Sequence, residues 1–328
     1  MSTSKTVLLT GAAGFIGRAV TDRLLARGDR VVGIDDLSGR SDTRLQLARL
    51  ATLQPRSNFT FIQADMSEPG MLAALMAEHE IKRAVHLAAR TGVRQSMDQP
   101  FAYQQANIAS DLVMLEACRQ TPAFEHLVYA SSSSVYGERS TECGPARESD
   151  PTDRPTSIYA ATKRSGELLS ESFAHVHGLP QTGLRLFTAY GPWGRPDMSY
   201  FRFTKAMAGN VPIKVFGEGR MARDFTYIDD IVDGIVGVLD RPPASGGNRL
   251  LNLGSGQPVA LPVMVASLEA AMGMEAEKIH LARQPGDVTA THADISALCA
   301  LTGFRPRTTL ADGLEQFVAW YRDFYQIG

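Results

Sequence analysis

Tyr159 and Lys163 stand four residues apart in a helical pattern, Tyr159-Ala160-Ala161-Thr162-Lys163. Residues at i and i+4 share one helix face, so the phenol and the ammonium project to the same side. A free phenol, with a pKa of about 10, is a poor base at neutral pH. A neighbouring positive charge favours the phenolate and lowers that value, and every tenfold gain in acidity reflects about 1.4 kcal/mol of preferential stabilisation. A phenol so prepared can take the proton of an alcohol while hydride leaves the same carbon. Alone, the pair reads more readily as solvent-facing. A second element shifts the balance: Ser131-Ser132-Ser133-Ser134-Val135-Tyr136-Gly137 directly follows a candidate strand. Alone that run reads as a polar loop, but at a sheet's carboxyl edge it offers a hydroxyl to hold a substrate oxygen in line with the tyrosine.

A third element precedes both. Thr10-Gly11-Ala12-Ala13-Gly14-Phe15-Ile16-Gly17 follows the first candidate strand and opens the first helix. Glycines there permit a tight turn, let a pyrophosphate approach the backbone, and let helix and strand pack closely. The helix start adds free N–H groups and the positive end of a dipole. The spacing is G-x-x-G-x-x-G, which alone could be a turn without a ligand. Asp35, at the end of the second strand, can accept hydrogen bonds from both adenosine ribose hydroxyls. A carboxylate there repels a 2′-phosphate, so the pattern favours NAD over NADP, with Arg40 nearby as the opposing feature. Asp65 and Met66, after the third strand, stand where an adenine would lie.

These residues need a sheet to position them. Candidate strands at Thr6–Thr10, Arg30–Ile34, Phe59–Gln63, Ala84–Leu87, His126–Ala130 and Thr182–Leu186 alternate with helical patterns at Gly14–Arg27, Pro69–His79, Phe101–Cys118 and Ser157–His177. Such alternation predicts an α/β fold, a Rossmann-type doubly wound parallel sheet, with ligands beyond the carboxyl ends of the strands. The second half reads as less regular, with Pro and Gly clusters at Gly191–Pro196, Pro242–Gly247 and Gly254–Pro258. The expected division is a dinucleotide-binding domain over residues 1–188, with 226–256 packing back onto it, and a smaller substrate lobe from 189–225 and 257–328.

The 328 residues are 44% hydrophobic and 21% charged with net charge −2, so no bulk field argues for nucleic acid or an anionic membrane. The cysteines, Cys118, Cys143 and Cys299, fit a reduced cytosol better than a disulfide framework or a metal site. No secretory pattern opens the chain, and no apolar run nears the roughly 18 residues of a membrane span. A soluble cytoplasmic protein is expected.

Taken together, the glycine turn, the serine run and Tyr159-x-x-x-Lys163 resemble the extended short-chain dehydrogenase/reductase family. The resemblance runs from about Lys5 to Tyr325. It includes His86-Leu87-Ala88-Ala89, Asn107, Arg223-Asp224-Phe225 and Tyr227-Ile228-Asp229-Asp230. Leu184-Arg185-Leu186-Phe187-Thr188-Ala189-Tyr190-Gly191-Pro192-Trp193-Gly194-Arg195-Pro196-Asp197-Met198 is similar to the UDP-glucuronate 4-epimerase branch, as are Tyr200–Lys205 and Phe317–Tyr321. Departures are Gln95 in place of an aromatic residue, Gly17-Arg18-Ala19 in place of Gly-Ser-His, and a long loop between Glu138 and Pro155.

The resemblance implies NAD as cofactor, held by Gly11, Gly14, Phe15, Ile16, Gly17, Asp35, Asp65, Met66, Ala88, Ala89, Asn107, Tyr159 and Lys163. It implies Tyr159 as base, Lys163 as its modulator and Ser132 orienting the 4-hydroxyl, with Ser133 and Ser134 near the sugar or its carboxylate. Thr188, Arg223 and Asp287 would meet the UDP portion, and Arg195 would either recognise the carboxylate or sit in a salt bridge within the lobe. The implied reaction is inversion at C4 between UDP-glucuronate and UDP-galacturonate through a 4-keto sugar, by a homodimer joined through the helices at Phe101–Cys118 and Ser157–His177. Dehydratases place an acidic residue where this chain has Ser134, which argues against elimination. A neutral UDP-glucose/UDP-galactose 4-epimerase competes most closely. A silent NAD-binding protein, from another class, would be expected to have lost Tyr159 or Lys163.

Overall fold

The computed structural model describes residues 5–38, 42–139, 143–219, 221–244, 246–283 and 287–327; Arg40 lies outside them. Its strands are β1 (Thr6–Thr10), β2 (Arg30–Asp35), β3 (Phe59–Gln63), β4 (Arg83–His86), β5 (His126–Ser132), β6 (Gln181–Leu186), β7 (Thr188–Tyr190), β8 (Ile213–Phe216), β9 (Ala222–Tyr227), β10 (Asn248–Leu253), β11 (Pro258–Ala260) and β12 (Lys278–Leu281). Seven of these form one parallel sheet in the order β10-β6-β5-β4-β1-β2-β3. The strand order reverses between β1 and β4, which opens a crevice at their carboxyl ends. The fold is therefore the doubly wound α/β class that the alternation predicts.

The inner strands β1, β2, β4 and β5 are buried on both faces, as a parallel sheet requires, while the edge strand β3 is only partly covered. Val7 and Leu9 of β1 enter one core with Phe15, Val20 and Leu24 of the first helix and Ile231, Ile235 and Leu239 of a later one. Leu8, between them, turns to the opposite core with Leu72 and Met76 of the helix Met71–Glu78 and Met114 and Leu115 of the helix Ser110–Gln120. The two-residue period of a strand thus assembles three layers from one chain.

The expected helix over Phe101–Cys118 is three pieces: Pro100–Tyr103, a wider π-type segment Gln104–Ala109, and Ser110–Gln120. Such widened turns concentrate at functional sites, and this one carries Asn107. The helix Thr43–Ala51, capped by the Asp42 carboxylate on the amides of Arg44 and Leu45, is not among the helical patterns read in the sequence.

Nor is the second half irregular. It holds helices at Ser199–Ala208, Ile228–Leu239, Leu261–Met272, Ser296–Thr302 and Leu310–Tyr325. Its Pro and Gly clusters are the joints between these elements. Pro262, in the first turn of its helix, marks a start, because a helix's first N–H groups lack intrahelical partners anyway. β10 completes the main sheet beside β6. β7, β9 and β11 form a small second sheet, and β8 pairs with β12 in a third. Tyr200, Phe201, Phe317, Trp320 and Tyr321 pack on one another with edge-on and tilted ring contacts, continuous with the core under β1.

Candidate active site

The glycine turn leaves no room for side chains. A Cβ at Gly17 would stand 1.9 Å from the Gly11 carbonyl oxygen, and one at Gly14 would stand 2.9 Å from it. Gly11 itself has φ +73°, and its Cβ would press on the Ala88 amide nitrogen at 2.9 Å. No side chain caps the first turn of the helix Phe15–Ala26. Its opening N–H groups and dipole are thus aimed at the crevice, a cradle of the kind pyrophosphates occupy. Phe15 is buried and Ile16 half-buried beneath this turn, so both anchor it.

Asp35 ends β2 with its carboxylate accepting from the Ala13 amide at 3.0 Å and the Leu37 amide at 3.0 Å. Burial pushes this carboxyl above its ordinary value, and the two amides pull it partly back. Met66 is buried after β3; Asp65 is exposed and accepts from the Ser67 amide.

After β4 the Thr10 hydroxyl accepts from the Leu87 and Ala88 amides, both at 3.2 Å. Its proton therefore points to His86 Nδ1 at 2.7 Å, leaving the His86 Nε2 hydrogen for Asp111 at 2.9 Å. This buried relay fixes the wall formed by Ala88 beside the glycine turn; Ala89 follows it, half-buried. Asn107 is wholly buried. Its amide accepts from the Arg90 amide at 2.7 Å and donates to the Arg90 carbonyl at 3.1 Å and the Thr162 hydroxyl at 2.9 Å. It therefore ties the loop after β4 to the helix carrying Tyr159.

That helix, Ile158–His177, is capped by Ser157 on the Ala160 amide. Lys163 is buried, and its ammonium donates to the Ala130 carbonyl of β5 at 2.9 Å. The Tyr159 amide donates to Ser96 Oγ at 3.0 Å, and Tyr103 meets the Tyr159 ring edge-on at 6.4 Å. The serine run divides by strand alternation and by the turn that ends it. Ser131 points away and donates to Glu167 at 2.6 Å. Ser132 caps a short turn over Ser133–Tyr136, accepting from the Ser134 amide at 3.2 Å and donating to the Ser134 hydroxyl at 3.1 Å.

Under the run lies a pair with no sequence signal of its own. Buried Arg185 meets Glu167 through Nε at 2.8 Å and Nη2 at 2.9 Å, and its Nη1 donates to the Tyr136 hydroxyl at 3.0 Å. The guanidinium also lies 4.8 Å from the Tyr136 ring centre. This fork-to-fork pair holds β5, β6 and the Tyr159 helix in one frame.

Across the crevice, Thr188 opens β7 and pairs with Phe225. Arg223 donates to the Val288 carbonyl at 2.8 Å and the Thr289 carbonyl at 3.2 Å, and burial lowers its pKa against the pull of Asp287 and Glu138. Asp287 is paired with Arg94 at 2.7 Å, and Arg94 also stands over the Phe216 ring at 5.4 Å. Sequence reasoning does not single out Arg94 or Ser96, because lone polar residues on a short helix have no periodic signature. Arg195 is held by Asp197, with Nε 3.0 Å from Oδ1, and keeps about a third of its side chain exposed. Burial lowers its pKa, and the Asp197 carboxylate, with a smaller contribution from the Tyr159 phenol, more than reverses this. Arg195 is thus salt-bridged to a residue of its own loop.

A doubly wound sheet, a glycine turn and a Tyr-x-x-x-Lys helix beside a serine-bearing strand end define an extended short-chain dehydrogenase/reductase. The model of the NAD dependent epimerase/dehydratase family matches residues 7–254, and the chain belongs to that family. UDP-glucuronate 4-epimerase 1 of Arabidopsis thaliana is 43% identical over 97% of this chain and 77% of its own length. The crystal structure of UDP-glucuronic acid 4-epimerase from Bacillus cereus, in complex with UDP-glucuronic acid and NAD, is 36% identical; it covers 98% of this chain and 100% of that one with a TM-score of 0.91. UDP-glucose 4-epimerase of Thermotoga maritima with UDP-glucose is 28% identical, covering 98% and 99%, with a TM-score of 0.88.

Proposed function

We propose that this protein inverts C4 of UDP-glucuronate to give UDP-galacturonate, reversibly, through a transient 4-keto sugar. The carrying observation is the helix of Tyr159 anchored through Lys163 to the Ala130 carbonyl beside the strand end of Ser132, the base and the hydroxyl that C4 inversion needs. The greater likeness to UDP-glucuronate 4-epimerases than to the UDP-glucose enzyme supports the same reading.

The residues present fit NAD. The glycine cradle that any Cβ would fill suits a pyrophosphate, and Asp35 retains carboxylate lone pairs beside the turn for a ribose. Gly11, Gly14, Gly17, Asp35, Met66 and Ala88 would hold it, and when bound it supplies a reversible hydride acceptor at C4. Tyr159 removes the proton from the 4-hydroxyl and returns one to O4 once the 4-keto sugar has turned its other face, so that C4 is inverted. Lys163, fixed by the Ala130 carbonyl, keeps positive charge near the phenolate. Ser132, oriented by Ser134, holds O4 in line with the phenol. Arg195 with Ser133 and Ser134 binds the carboxylate and resists the alignment that would expel carbon dioxide from a β-keto acid. Thr188, Arg223 and Asp287 face the UDP portion.

A neutral-hexose epimerase is the second reading, and the Asp197 carboxylate already paired with Arg195 favours it. Incubation with a panel of UDP-sugars, followed by chromatographic separation of the products, distinguishes the two. We assign the cofactor to residues 1–188 with 226–256, and the sugar nucleotide to a lobe of 189–225 and 257–328. A homodimer is supported by Leu112 and Leu168, which leave 45% and 55% of their surfaces exposed on two adjacent helices. Among the described residues no helix is long and apolar enough to cross a membrane; a cytoplasmic setting is part of the proposal.

A further inference from the structure

Arg49 lies in the helix Thr43–Ala51, far in sequence from the sugar-binding lobe, yet its guanidinium is buried against it. Nε and Nη2 donate to the Trp193 carbonyl at 3.0 and 2.6 Å, and Nη2 also donates to the Gly194 carbonyl at 2.9 Å. Nη1 points the other way, to the Ala13 carbonyl in the glycine turn at 3.4 Å. The Ala13 amide in turn donates to Asp35 at 3.0 Å. These hydrogen bonds cross from the cofactor turn to the residue immediately before Arg195.

The loop they hold is constrained on every side. Trp193 has φ +65°, a left-handed conformation rarely taken by a large side chain, so neighbours must impose it. Arg18 stands over its ring at 5.3 Å, and Trp320 and Phe324 contact it from the C-terminal helix at 5.3 and 5.4 Å. A Cβ at Gly194 would meet the Tyr200 hydroxyl at 2.0 Å, so the backbone there is pressed onto the next helix. Burial pushes the Arg49 guanidinium down to about 10. Keeping a cation there costs solvation, and a rigid fork that satisfies two adjacent carbonyls offsets that cost in a way a lysine cannot.

We propose that Arg49 is a positioning residue that sets Arg195 against the substrate by fixing the Trp193 and Gly194 carbonyls to the cofactor turn. It touches neither sugar nor base; it acts through Arg195. The inference rests on Arg195 binding the substrate, as proposed above.

The test is a double-mutant cycle with Arg49→Lys and Arg195→Ala, reading kcat/KM on UDP-glucuronate, with hydrogen exchange measured in parallel at the Gly194 and Met198 amides, which donate to the Gly191 and Arg195 carbonyls at 3.1 and 3.2 Å. Arg49→Lys should lower kcat/KM about tenfold and lower nothing further in the Arg195→Ala background, since coupled residues are non-additive. The two amides should lose protection while NAD affinity changes little. Losses that simply add, or intact amide protection with a full loss of activity, would overturn the proposal. Should Arg49→Lys not fold, Arg18→Gln loosens the same loop from the Trp193 ring, with a smaller loss that must also vanish without Arg195. If the wild type turns over a neutral sugar instead, the acidic-sugar reading falls, and the same cycle on that sugar still decides whether Arg49 works through Arg195.

Discussion

The Lys163 ammonium donates to the Ala130 carbonyl at 2.9 Å, joining the helix that carries Tyr159 to the strand that ends in Ser132. The base and the hydroxyl that orients its substrate are thereby tied through their elements, a tie that the Ser131 hydroxyl on Glu167 reinforces. Tyr159→Phe removes only the phenol oxygen and leaves this frame in place. Turnover should fall by about 10²–10⁴, the usual cost of losing a general acid–base group, with the thermal melt and NAD titration little changed. A kcat within a factor of a few of wild type would show that another group is the base.

Asp35 makes cofactor affinity depend on pH. Its carboxylate must be ionised to accept from both ribose hydroxyls, and burial raises its pKa. Affinity should therefore be full at neutral pH and decline as pH falls through that raised value, earlier than for a surface carboxylate. Asp35→Ala should cost about 1.5–3 kcal/mol in NAD binding at neutral pH and flatten the profile. Unchanged affinity in the variant would refute the ribose assignment.

Arg195→Ala tests sugar recognition. It should cost about 1.5–3 kcal/mol in kcat/KM on the acidic sugar, the range for a charge-assisted hydrogen bond, and much less on UDP-glucose. Some UDP-pentose should appear, because a loosely held β-keto acid can reach the geometry that loses carbon dioxide. Equal losses on both sugars without pentose would leave Arg195 as a partner of Asp197 alone.

His126 should govern acid stability. It is wholly buried between the Leu239 carbonyl, 3.1 Å from Nδ1, and the Thr182 hydroxyl, 2.9 Å from Nε2. Burial pushes its pKa down from 6.5 to about 4. The unfolded chain takes up this proton near 6.5 and the native chain does not, so its stabilisation is full above 6.5 and is lost as pH falls toward 4. Between pH 7 and pH 5 the loss from this group is about 2 kcal/mol. Urea titrations at the two values should display it, and His126→Gln should remove that part of the difference.

Much of this is legible in the residues. The strands β1 and β3 begin and end where apolar runs do, and the glycine turn, Asp35 and Tyr159-x-x-x-Lys163 have spacings that the sheet edge explains. Periodicity cannot reveal the break in the helix at Gln104–Ala109, where backbone widening leaves the side-chain pattern nearly helical. Proline and glycine in the second half mark joints, and reading them as irregularity hides the helices between them. Arg49, Arg94 and the Arg185–Glu167 pair join residues distant in sequence, and such contacts have no local signature. Asn107 carries the family's pattern, but only the fold exposes its ties to Arg90 and Thr162.

The most direct test of C4 inversion on an acidic sugar is proton NMR of the wild-type enzyme incubated with UDP-glucuronate and NAD. UDP-galacturonate sugar signals should grow to a stable mixture, without net accumulation of reduced cofactor, and UDP-glucose should be converted to UDP-galactose far more slowly. Comparable rates on the two sugars, or conversion of the neutral one alone, would contradict the assignment.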